Sequence, residues 1–447
     1  MVFSTITDIF KLPALRNRIL FTLAMLAVYR LGIFIPSPGI DRNALAEFFS
    51  SSEGSLLSLY NMFSGGALER FSVFVLGILP YISASIIMQL AQVMFPRIER
   101  LKSEGQSGRK KINQYTRYLT IGIALIQSFT ISVSLQSMST ASGTSIVLDG
   151  GGWWFTVMTV ITMTSGSCFV MWLGEQITER GIGQGASLII TAGIIAAIPS
   201  GARSLYENMV MGEISLLTIT FLFVFMTIVI GAIVFVERGQ YQVPIRFPKR
   251  VTADGAASGG QNTHLPLKVN VAGVIPPIFA SSIMFFPATI SSLFPNSAFF
   301  QFLSSIFVPD TWTYLVSYIV LIVTFTFFYA AITFNPTDIA DNLRRQGAFI
   351  PRVRPGAETV AKLDYILLRL TAGGAIYLSA VCILPEVMAR SYNIPFYFGG
   401  TGLLIIVGVC MQTVAQIEGY LLSQQYDGMD KQSQGGGRRA KFAVDRE

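Results

Sequence analysis

The chain has little charge, one histidine and few cysteines. Charged residues make up 13% of its 447 residues, against about 25% in an ordinary soluble protein, while hydrophobic residues make up 52%. This composition excludes a soluble globular protein and predicts an integral membrane protein. The single histidine, His264, has no cysteine or carboxylate cluster near it in the sequence, so no metal and no other cofactor is expected. The cysteines all fall within apolar runs and predict small core residues rather than disulfides: Cys168, Cys382 and Cys410.

Sequence signatures of enzymes are also missing. The sequence contains no G-x-x-x-x-G-K-[ST] loop, no H-E-x-x-H motif and no Cys-His metal spacing. The string GIGQG at Gly181–Gly185 resembles a nucleotide-binding turn. It follows a membrane segment rather than a strand, which favours close packing at the start of a helix. We therefore do not expect an enzyme.

What the chain has instead is a series of apolar runs separated by polar links. Ten runs approach the roughly 20 residues that a membrane helix needs, although the first and the fifth are short. We number these predicted helices α1 to α10: Ile19–Phe34, Val73–Phe95, Tyr118–Met138, Trp153–Trp172, Ile182–Ile198, Leu216–Val236, Val271–Phe294, Tyr314–Phe334, Leu367–Leu384 and Tyr397–Leu422. The N-terminal residues show no signal-peptide cleavage pattern, so α1 is expected to stay in the mature protein.

The basic residues predict how these helices are oriented. If all ten span the membrane and the N-terminus is cytoplasmic, the cytoplasmic segments hold 27 of the 32 basic residues, counting Arg369 at the start of α9. Arg30 lies within α1, and the outer links hold only four: Arg42, Arg70, Arg203 and Arg390. Basic residues concentrate on the cytoplasmic side of membrane proteins. Because removing α5 would place the basic link Arg238–Lys268 outside, we expect α5 to span.

Ten helices divide into two sets of five, and the odd number inverts the second set relative to the first. This prediction rests on count and parity. It is supported by Pro/Gly interruptions in the second helix of each half, which point to a functional centre between the halves: Gly77 and Pro80 in α2, and Gly273, Pro276 and Pro277 in α7. The predicted divisions are a cytoplasmic N-terminus (1–18), two halves (19–198 and 216–422), an outer link (199–215) and a flexible cytoplasmic tail (423–447). Disorder is expected after Tyr426, where the tail is Gly-rich and charged.

Ionisable residues avoid the middle of the predicted helices. They lie towards the helix ends, where long side chains can reach the interface: Arg30, Glu175, Glu237 and Glu418. An ion-coupled transporter would place a carboxylate or histidine near the midplane, which disfavours the alternative of a small-solute transporter. Isoleucines lie beside the interruptions instead: Ile78, Ile82 and Ile278. A ring of apolar side chains can close a pore by dewetting, although core or lipid packing explains any one of them equally well.

Polar residues on α2 and α7 predict a seam that can separate. Hydrogen bonds between membrane helices are worth about 0.6 kcal/mol each, and ordinary bundle contacts explain any single residue equally well: Ser83, Ser85, Gln89, Asn270, Ser281 and Ser282.

The inner links are basic, with seven basic residues from Arg97 to Arg117 and four more at Arg344, Arg345, Arg352 and Arg354. Topology and anionic lipid contact explain most of these charges. The length of the links also suggests a docking surface for a ribosome or an acidic ATPase.

Seven stretches, in this order, resemble the bacterial SecY family, the central subunits of a protein-translocation channel. The resemblance covers about residues 18–425. The stretches are NMFSGGAL (61–68), LGILPYISASIIMQL (76–90), EGQSGRKKINQYTRY (104–118), MWLGEQITERGIGQG (171–185), THLPLKVNVAGVIPPIFASSI (263–283), FNPTDIADNLR (334–344) and PFYFGGTGLLI (395–405). It implies an all-α polytopic membrane protein, with two inverted five-helix halves around a central pore. Unfolded preproteins would cross the membrane through this pore, and membrane segments would leave it laterally.

The resemblance also implies three structural parts. A hydrophobic pore ring is expected at Ile78, Ile82, Ala186, Ile190, Ile278 and Ile405. Ala186 departs from the usual bulky aliphatic residue, so the seal is expected to be looser there or filled by a neighbour. A plug is expected at about residues 57–70, with Asn61, Phe63, Gly65, Gly66 and Leu68. A lateral gate is expected between α2 and α3 on one side and α7 and α8 on the other, with Ser83, Ile86, Gln89, Asn270, Ser281 and Ser282.

Partners are implied in the same way. SecE and SecG are the expected membrane subunits, the SecA ATPase and the ribosome the cytosolic partners, and signal sequences and preprotein chains the substrates, beside anionic lipids. Cytosolic docking is expected at Arg109, Lys110, Arg238, Lys249, Arg250, Arg344, Arg345 and Arg354, the last at the position that the family relies on for SecA-driven work. The stretch Val251–Gln261 lacks the basic residues usual in that loop, which weakens its expected share. The implied location is the bacterial cytoplasmic (inner) membrane, with both termini cytoplasmic.

Overall fold

Long helices make up most of the computed structural model, which describes residues 12–41, 43–45, 61, 64–137, 146–148, 151–212, 214–247, 250–251, 257–258, 262–293, 311–391 and 400–444. The ten predicted runs correspond to α1 Pro13–Gly32, α2 Leu79–Met94, α3 Gln106–Ser137, α4 Trp153–Arg180, α5 Gly185–Val210, α6 Leu216–Arg238, α7 Ile275–Leu293, α8 Trp312–Thr333, α9 Ala357–Ser391 and α10 Gly400–Val444. Within the described residues, seven helices are long and apolar enough to cross a membrane; α1, α2 and α7 are the others. The helices agree with the predicted architecture, and the count of ten spans stays a prediction.

Two of the predicted helices begin later than expected. The apolar runs at 73 and 271 start as turns, and α2 and α7 begin only at Leu79 and Ile275. The 16 residues of α2 rise about 24 Å at ~1.5 Å per residue, short of the hydrocarbon core of about 30 Å. Non-helical backbone at this depth is tolerated only when protein covers it. Residues 71–78 meet this requirement, because all of them are buried except the half-buried Val73.

Glycine and proline set these late starts. Gly77 and Gly273 have φ angles of 54° and 64°, a left-handed conformation that glycine adopts without steric cost. Pro80 and Pro276 follow at the second position of each helix, where the missing N–H donor would have no helical partner. The predicted interruptions are therefore helix starts rather than breaks within helices.

The same elements reveal a repeat in the sequence. Residues 77–88 and 273–284 are identical at seven of twelve aligned positions, and residues 185–193 and 400–408 at four of nine. The first pair belongs to the starts of α2 and α7, and the second pair to the starts of α5 and α10. These are the counterparts that two five-helix halves require. The prediction of two halves, based above on helix count, parity and the paired Pro/Gly interruptions, is thereby also supported by identical residues at corresponding positions.

Backbone hydrogen bonds also occur at corresponding positions of the two halves. The amide of Val73 donates to the carbonyl of Ile35 at 3.0 Å, and Val269, its counterpart, donates to Gly239 at 3.0 Å. Beside the first bond, Pro36 and Ser72 form an isolated β-bridge. Beside the second, Gln240 pairs with Lys268 in a hairpin. Each half thus closes the connection between its first and second helices by the same joint, which we call the bridge joint.

Helix contacts place a shared centre between the halves. Within each half, consecutive helices from the second to the fifth pack together. Contacts between the halves join α7 to α2 and α3, and join α10 to α5. The starts of α2, α5, α7 and α10 therefore face one region.

The starts of α5 and α10 are packed against a neighbouring backbone. A Cβ atom on Gly185 would overlap the carbonyl oxygen of Gly174 in α4, and one on Gly400 would overlap that of Val381 in α9. Ile182 and Gly183 donate backbone hydrogen bonds to the side chains of Thr22 and Gln416, at 3.0 and 2.8 Å. The expectation that GIGQG serves close packing at a helix start agrees with this geometry.

Gly185→Ala is expected to destabilise the protein by about 1–3 kcal/mol, because an added methyl group in a packed site forces the backbone apart. The measurement is the midpoint of thermal unfolding in detergent. Gly231→Ala in α6 is the matched control, since a Cβ there meets no atom within 4 Å and alanine favours a helix by about 0.5–1 kcal/mol. Equal midpoints for the two variants would contradict close packing at Gly185.

The link between α6 and α7 contains strands. β1 (Gln240–Arg246) pairs antiparallel with β4 (Asn262–Lys268), and between them the short strands β2 (Arg250–Val251) and β3 (Ala257–Ser258) pair with each other. Arg246 and Phe349 exchange two backbone hydrogen bonds of 3.0 Å, which join the hairpin to the link after α8. Buried apolar residues from the hairpin, that link and α9 form one cluster: Val243, Leu267, Ile350 and Leu363. The two inner links are thus one packed unit, which we call the inner platform.

Five helices extend beyond their predicted ends, namely α4, α5, α6, α9 and α10. The extensions of α5 and α10 change an earlier expectation. α5 continues to Val210, so most of the predicted outer link 199–215 is helical, and an ion pair of 2.9 Å between Arg203 and Glu207 supports this polar turn. The backbone of α10 is helical as far as Val444, which differs from the disordered tail expected after Tyr426. Extending an existing helix costs much less than starting one, and no proline stops this one.

Candidate functional site

The predicted pore-ring residues come together in one apolar cluster. Ile78, Ile82, Ile190, Ile278 and Ile405 are between 0% and 7% exposed and belong to the same buried cluster. Ala186 is half-buried and packs against that cluster. The six residues come from α5, α10 and the starts of α2 and α7, so both halves contribute. We call this group the waist cluster.

Close backbone contacts bring these side chains together. Ile78 Cδ1 and Ile189 Cδ1 lie 3.2 and 3.5 Å from the position of a Cβ on Gly174, and the amide nitrogen of Ala186 lies 3.6 Å from it. The glycine therefore leaves room for two isoleucines beside Ala186. Whether the seal is looser at Ala186 or filled by a neighbour stays a prediction.

The repeat identifies two positions that the sequence reasoning missed. Val274 is the counterpart of Ile78, is 8% exposed and lies in the same buried cluster. Thr401 is the counterpart of Ala186 and is 9% exposed. Aligning the two halves would have found both residues from the sequence alone.

The described part of the predicted plug is residue 61 together with residues 64–70; Phe63 and residues 57–60 lie outside the described residues. The carbonyl of Asn61 accepts from Gly66 N at 2.8 Å and from Ser64 Oγ at 3.0 Å. Asn61 Oδ1 accepts from the amide of Glu69 at 3.1 Å. Leu68 is buried in a second cluster together with Phe71 and Leu76. Ala67, which is 0% exposed, belongs to the cluster that holds the pore-ring isoleucines. The segment is therefore part of the same buried core as the waist cluster.

Residues of α1 hold the same segment. Tyr29 Oη donates to the carbonyl of Ser64 at 3.2 Å, and Arg30 Nη1 donates to that of Gly65 at 2.8 Å. Arg30 was expected to reach towards the interface because it lies near a helix end. Its guanidinium group bonds inward instead.

The predicted lateral-gate residues lie on helices that touch, but their hydrogen bonds do not cross the seam. Gln89 donates to Ser85 at 3.3 Å, and Ser281 and Ser282 donate to carbonyls one turn earlier in α7 at 2.8–3.1 Å. Ser83 is half-buried, and Ile86 is buried with the pore-ring isoleucines. The expectation of hydrogen bonds across the seam is therefore wrong for Gln89, Ser281 and Ser282, because serine in a membrane helix can satisfy its hydroxyl on its own backbone.

Asn270 has a different surrounding from the one expected. Its Nδ2 atom donates to Glu237 Oε1 at 2.6 Å and to the carbonyl of Gly273 at 3.1 Å, and its Oδ1 atom accepts from the amide of Gly273 at 3.1 Å. Asn270 thus shapes the turn before α7 and ties it to the end of α6. These hydrogen bonds do not reach α2 or α3, and the place of Asn270 in the lateral gate stays a prediction.

The predicted docking residues are found on the surface wherever the structure describes their side chains. The exposed ones are Arg109, Lys110, Arg238, Arg344, Arg345 and Arg354. Lys249 and the side chain of Arg250 lie outside the described residues. Arg354 belongs to the inner platform, where its amide donates to Glu358 Oε2 at 3.1 Å and its carbonyl accepts from Thr359 Oγ1 at 2.9 Å. These bonds fix the backbone of the loop and leave the guanidinium group exposed.

Comparisons with known proteins agree with this architecture. The SecY family model matches residues 72–414. The protein translocase subunit SecY of Escherichia coli strain K12 is 45% identical over 419 residues, which cover 93% of this chain and 94% of the relative. These matches confirm the prediction of a translocation-channel subunit, which is not an enzyme, and do not support a small-solute transporter.

Two solved structures have the same fold. The protein described in "The structure of a protein conducting channel" has a TM-score of 0.61 at 16% identity, with 90% of this chain and 91% of that chain covered. Sec61 in a canine ribosome–channel complex has a TM-score of 0.57 at 16% identity, with the same coverage. Since the family model spans most of the chain and a relative is nearly half identical along almost its full length, the chain belongs to the SecY family of protein translocase subunits.

Proposed function

We propose that the waist cluster is the seal of a pore that conducts unfolded polypeptide chains. The observation that carries this proposal is the meeting of five isoleucines and Ala186 from both halves in one apolar group. Water leaves a narrow apolar constriction, and ions then meet a barrier without any charged group in their path. A passing polypeptide can push such side chains aside, since they form no directional bonds.

The plug is proposed to close the outer side of this seal. Its support is the burial of Ala67 in the core that also holds the waist residues, together with the bonds that join Asn61 to Ser64 and Glu69. Removing the plug would expose the waist to water from the outside.

The lateral gate is proposed to open between α2 and α7. These helices pack together, and the hydroxyl groups of Ser281 and Ser282 are satisfied within α7. The apolar side chains of membrane helices are about as apolar as lipid tails, so burial in lipid does not drive the two helices together. A hydrophobic segment of a substrate could therefore replace the contacts between α2 and α7 at little cost in free energy. Phe279 packs edge-on against Phe325 and Tyr329, with ring centroids 5.9 and 6.3 Å apart, so α7 is expected to move together with α8.

The inner platform and the basic link after α2 are proposed to dock the ribosome and the SecA ATPase. Exposed arginines on a backbone fixed by hydrogen bonds support this assignment, since cationic groups suit RNA phosphates and acidic protein surfaces. SecE and SecG are the proposed membrane partners, with anionic lipids around the basic links. A location in the bacterial cytoplasmic membrane is supported by the bacterial SecY relatives, and cytoplasmic termini by the distribution of basic residues.

The test is import into sealed vesicles that contain the chain with SecE and SecG. With SecA and ATP, a preprotein carrying a signal sequence should become protected from added protease, and omission of ATP should abolish protection. Uptake of a small labelled solute without SecA would contradict the channel. Import that persists in vesicles lacking the chain would contradict it too.

A further inference from the structure

Arg30 is a charged residue inside a membrane helix, and among the described residues it takes part in no ion pair. Its guanidinium group donates to the carbonyl of Gly65 at 2.8 Å and lies 5.8 Å from the ring centroid of Phe34. Arg70, which belongs to the plug, lies 4.5 Å from the same ring. Two like charges therefore approach one aromatic ring. Ionisable groups at such places are costly and usually functional.

Residues 64 and 65 have further contacts with α1 and α5. Tyr29, the preceding residue of α1, donates to the carbonyl of Ser64 at 3.2 Å and is 1% exposed. Gly193 Cα of α5 lies only 2.9 Å from the position of a Cβ on Gly65, and Arg30 Nη1 lies 3.5 Å from the same position. Gly65 therefore packs closely where α1 and α5 meet, and we call this packed contact the wedge.

This wedge lies at the start of the compact plug segment. Gly65 and Gly66 have φ angles of 71° and 83°, and Gly66 is bonded back to Asn61. Glycine at both positions lets the chain leave the wedge by a sharp turn. Ala67 then enters the large buried cluster that also holds the pore-ring isoleucines. The bond from Arg30 thus acts two residues before the chain joins that core.

We propose that Arg30 is a positioning residue that latches the plug in the closed channel. The proposal rests on the proposed function of the plug. The latch uses one charge-assisted hydrogen bond to a main-chain carbonyl, so it does not depend on the plug's side chains. The nearby charge of Arg70 opposes it, which keeps the closed state from becoming too stable to open.

The experiment measures resting ion conductance of the reconstituted complex in planar bilayers, in potassium chloride and without SecA. Arg30→Gln should raise the conducting fraction about 10- to 100-fold, the ratio that corresponds to the usual net strength of a hydrogen bond to a charged group. Arg30→Lys retains the charge and should restore part of the closure. Arg203→Gln is the matched control, because it removes one outer positive charge whose side chain is 81% exposed, and it should leave conductance unchanged.

A channel variant without the plug residues distinguishes a latch from a general loss of stability. In a variant lacking residues 65–70 the channel should already leak, and Arg30→Gln should then add nothing, since the bond has no acceptor. An equal increase from Arg30→Gln in both backgrounds would overturn the latch. If deleting residues 65–70 leaves conductance unchanged, the plug proposal itself fails. If the deletion raises conductance but Arg30→Gln in the full-length chain does not, only the latch proposal is contradicted.

Tyr29→Phe provides an independent variant if Arg30→Gln does not assemble. It removes a single hydroxyl group from a buried ring and should raise conductance several-fold less than Arg30→Gln, because a neutral hydrogen bond is weaker than a charge-assisted one. Unchanged conductance with Tyr29→Phe, in a complex that still imports preprotein, would show that α1 does not hold the plug closed and would contradict the latch.

Discussion

Ile278→Asn is expected to make the closed channel conduct ions. Ile278 is 5% exposed within the waist cluster, so an asparagine there would leave an amide in an apolar constriction. An unpaired amide costs about 1–3 kcal/mol when kept dry, which favours entry of water by roughly tenfold or more. The measurement is resting conductance in planar bilayers with no motor or substrate present.

Ile278→Leu is the control for this substitution. Leucine preserves the volume and the apolar surface, and swaps of this kind usually cost less than about 1.5 kcal/mol. It should keep the pore closed. Unchanged resting conductance with asparagine, in a complex that still imports preprotein, would show that Ile278 does not contribute to the seal.

Arg354→Glu is expected to abolish most SecA-driven import and to leave the protein folded. The backbone at Arg354 is held by the bonds to Glu358 and Thr359, which do not involve its guanidinium group. Reversing an exposed charge therefore has little to disturb within the fold, whereas like charges across an interface cost several kcal/mol. We expect import to fall by about two orders of magnitude in a protease-protection assay with SecA and ATP.

Arg203→Glu, on the predicted outer side, is the matched charge reversal and should leave import unchanged. Thermal unfolding of Arg354→Glu in detergent should match that of the parent protein, and Arg203→Glu should lose only about 0.2–0.5 kcal/mol for the like-charge pair that it forms with Glu207. Equal losses of stability and import for Arg354→Glu would mean that the residue supports the fold rather than the docking of a partner. Normal binding of SecA to the variant would also contradict a docking role.

Much of the membrane architecture follows from single residues and their order. Long apolar runs specify the helices because the hydrocarbon core excludes unpaired backbone groups, and α4 and α6 begin at the predicted residues Trp153 and Leu216. The waist isoleucines were found through their place beside Pro80 and Pro276 and through the family resemblance. In the structure these isoleucines lie in one buried cluster, because the starts of four helices meet between the halves.

Other features depend on contacts that hydropathy does not record. The start of α2 depends on the left-handed conformation of Gly77 and on a bond from Val73 to Ile35, which lies 38 residues earlier in the sequence. Likewise, Ser281 and Ser282 could have bonded either across the seam or to their own helix, and their spacing allows both. The role of Arg30 was missed because a position near a helix end predicts exposure, whereas the carbonyl of Gly65 offers the guanidinium group a partner inside the protein.

The bridge joint has a consequence for how far the connecting loops can vary. The joint holds the two ends of each loop together. A change in the entropy of closing the loop is therefore borne by the joint and does not alter the packing of the membrane helices. Doubling the length of such a loop costs only about 0.6 kcal/mol. The stretch between β1 and β4 is therefore free to change in length and composition. The loop on one side can thus change to dock a different cytosolic partner, and the plug on the other side can change its shape, without repacking of the pore.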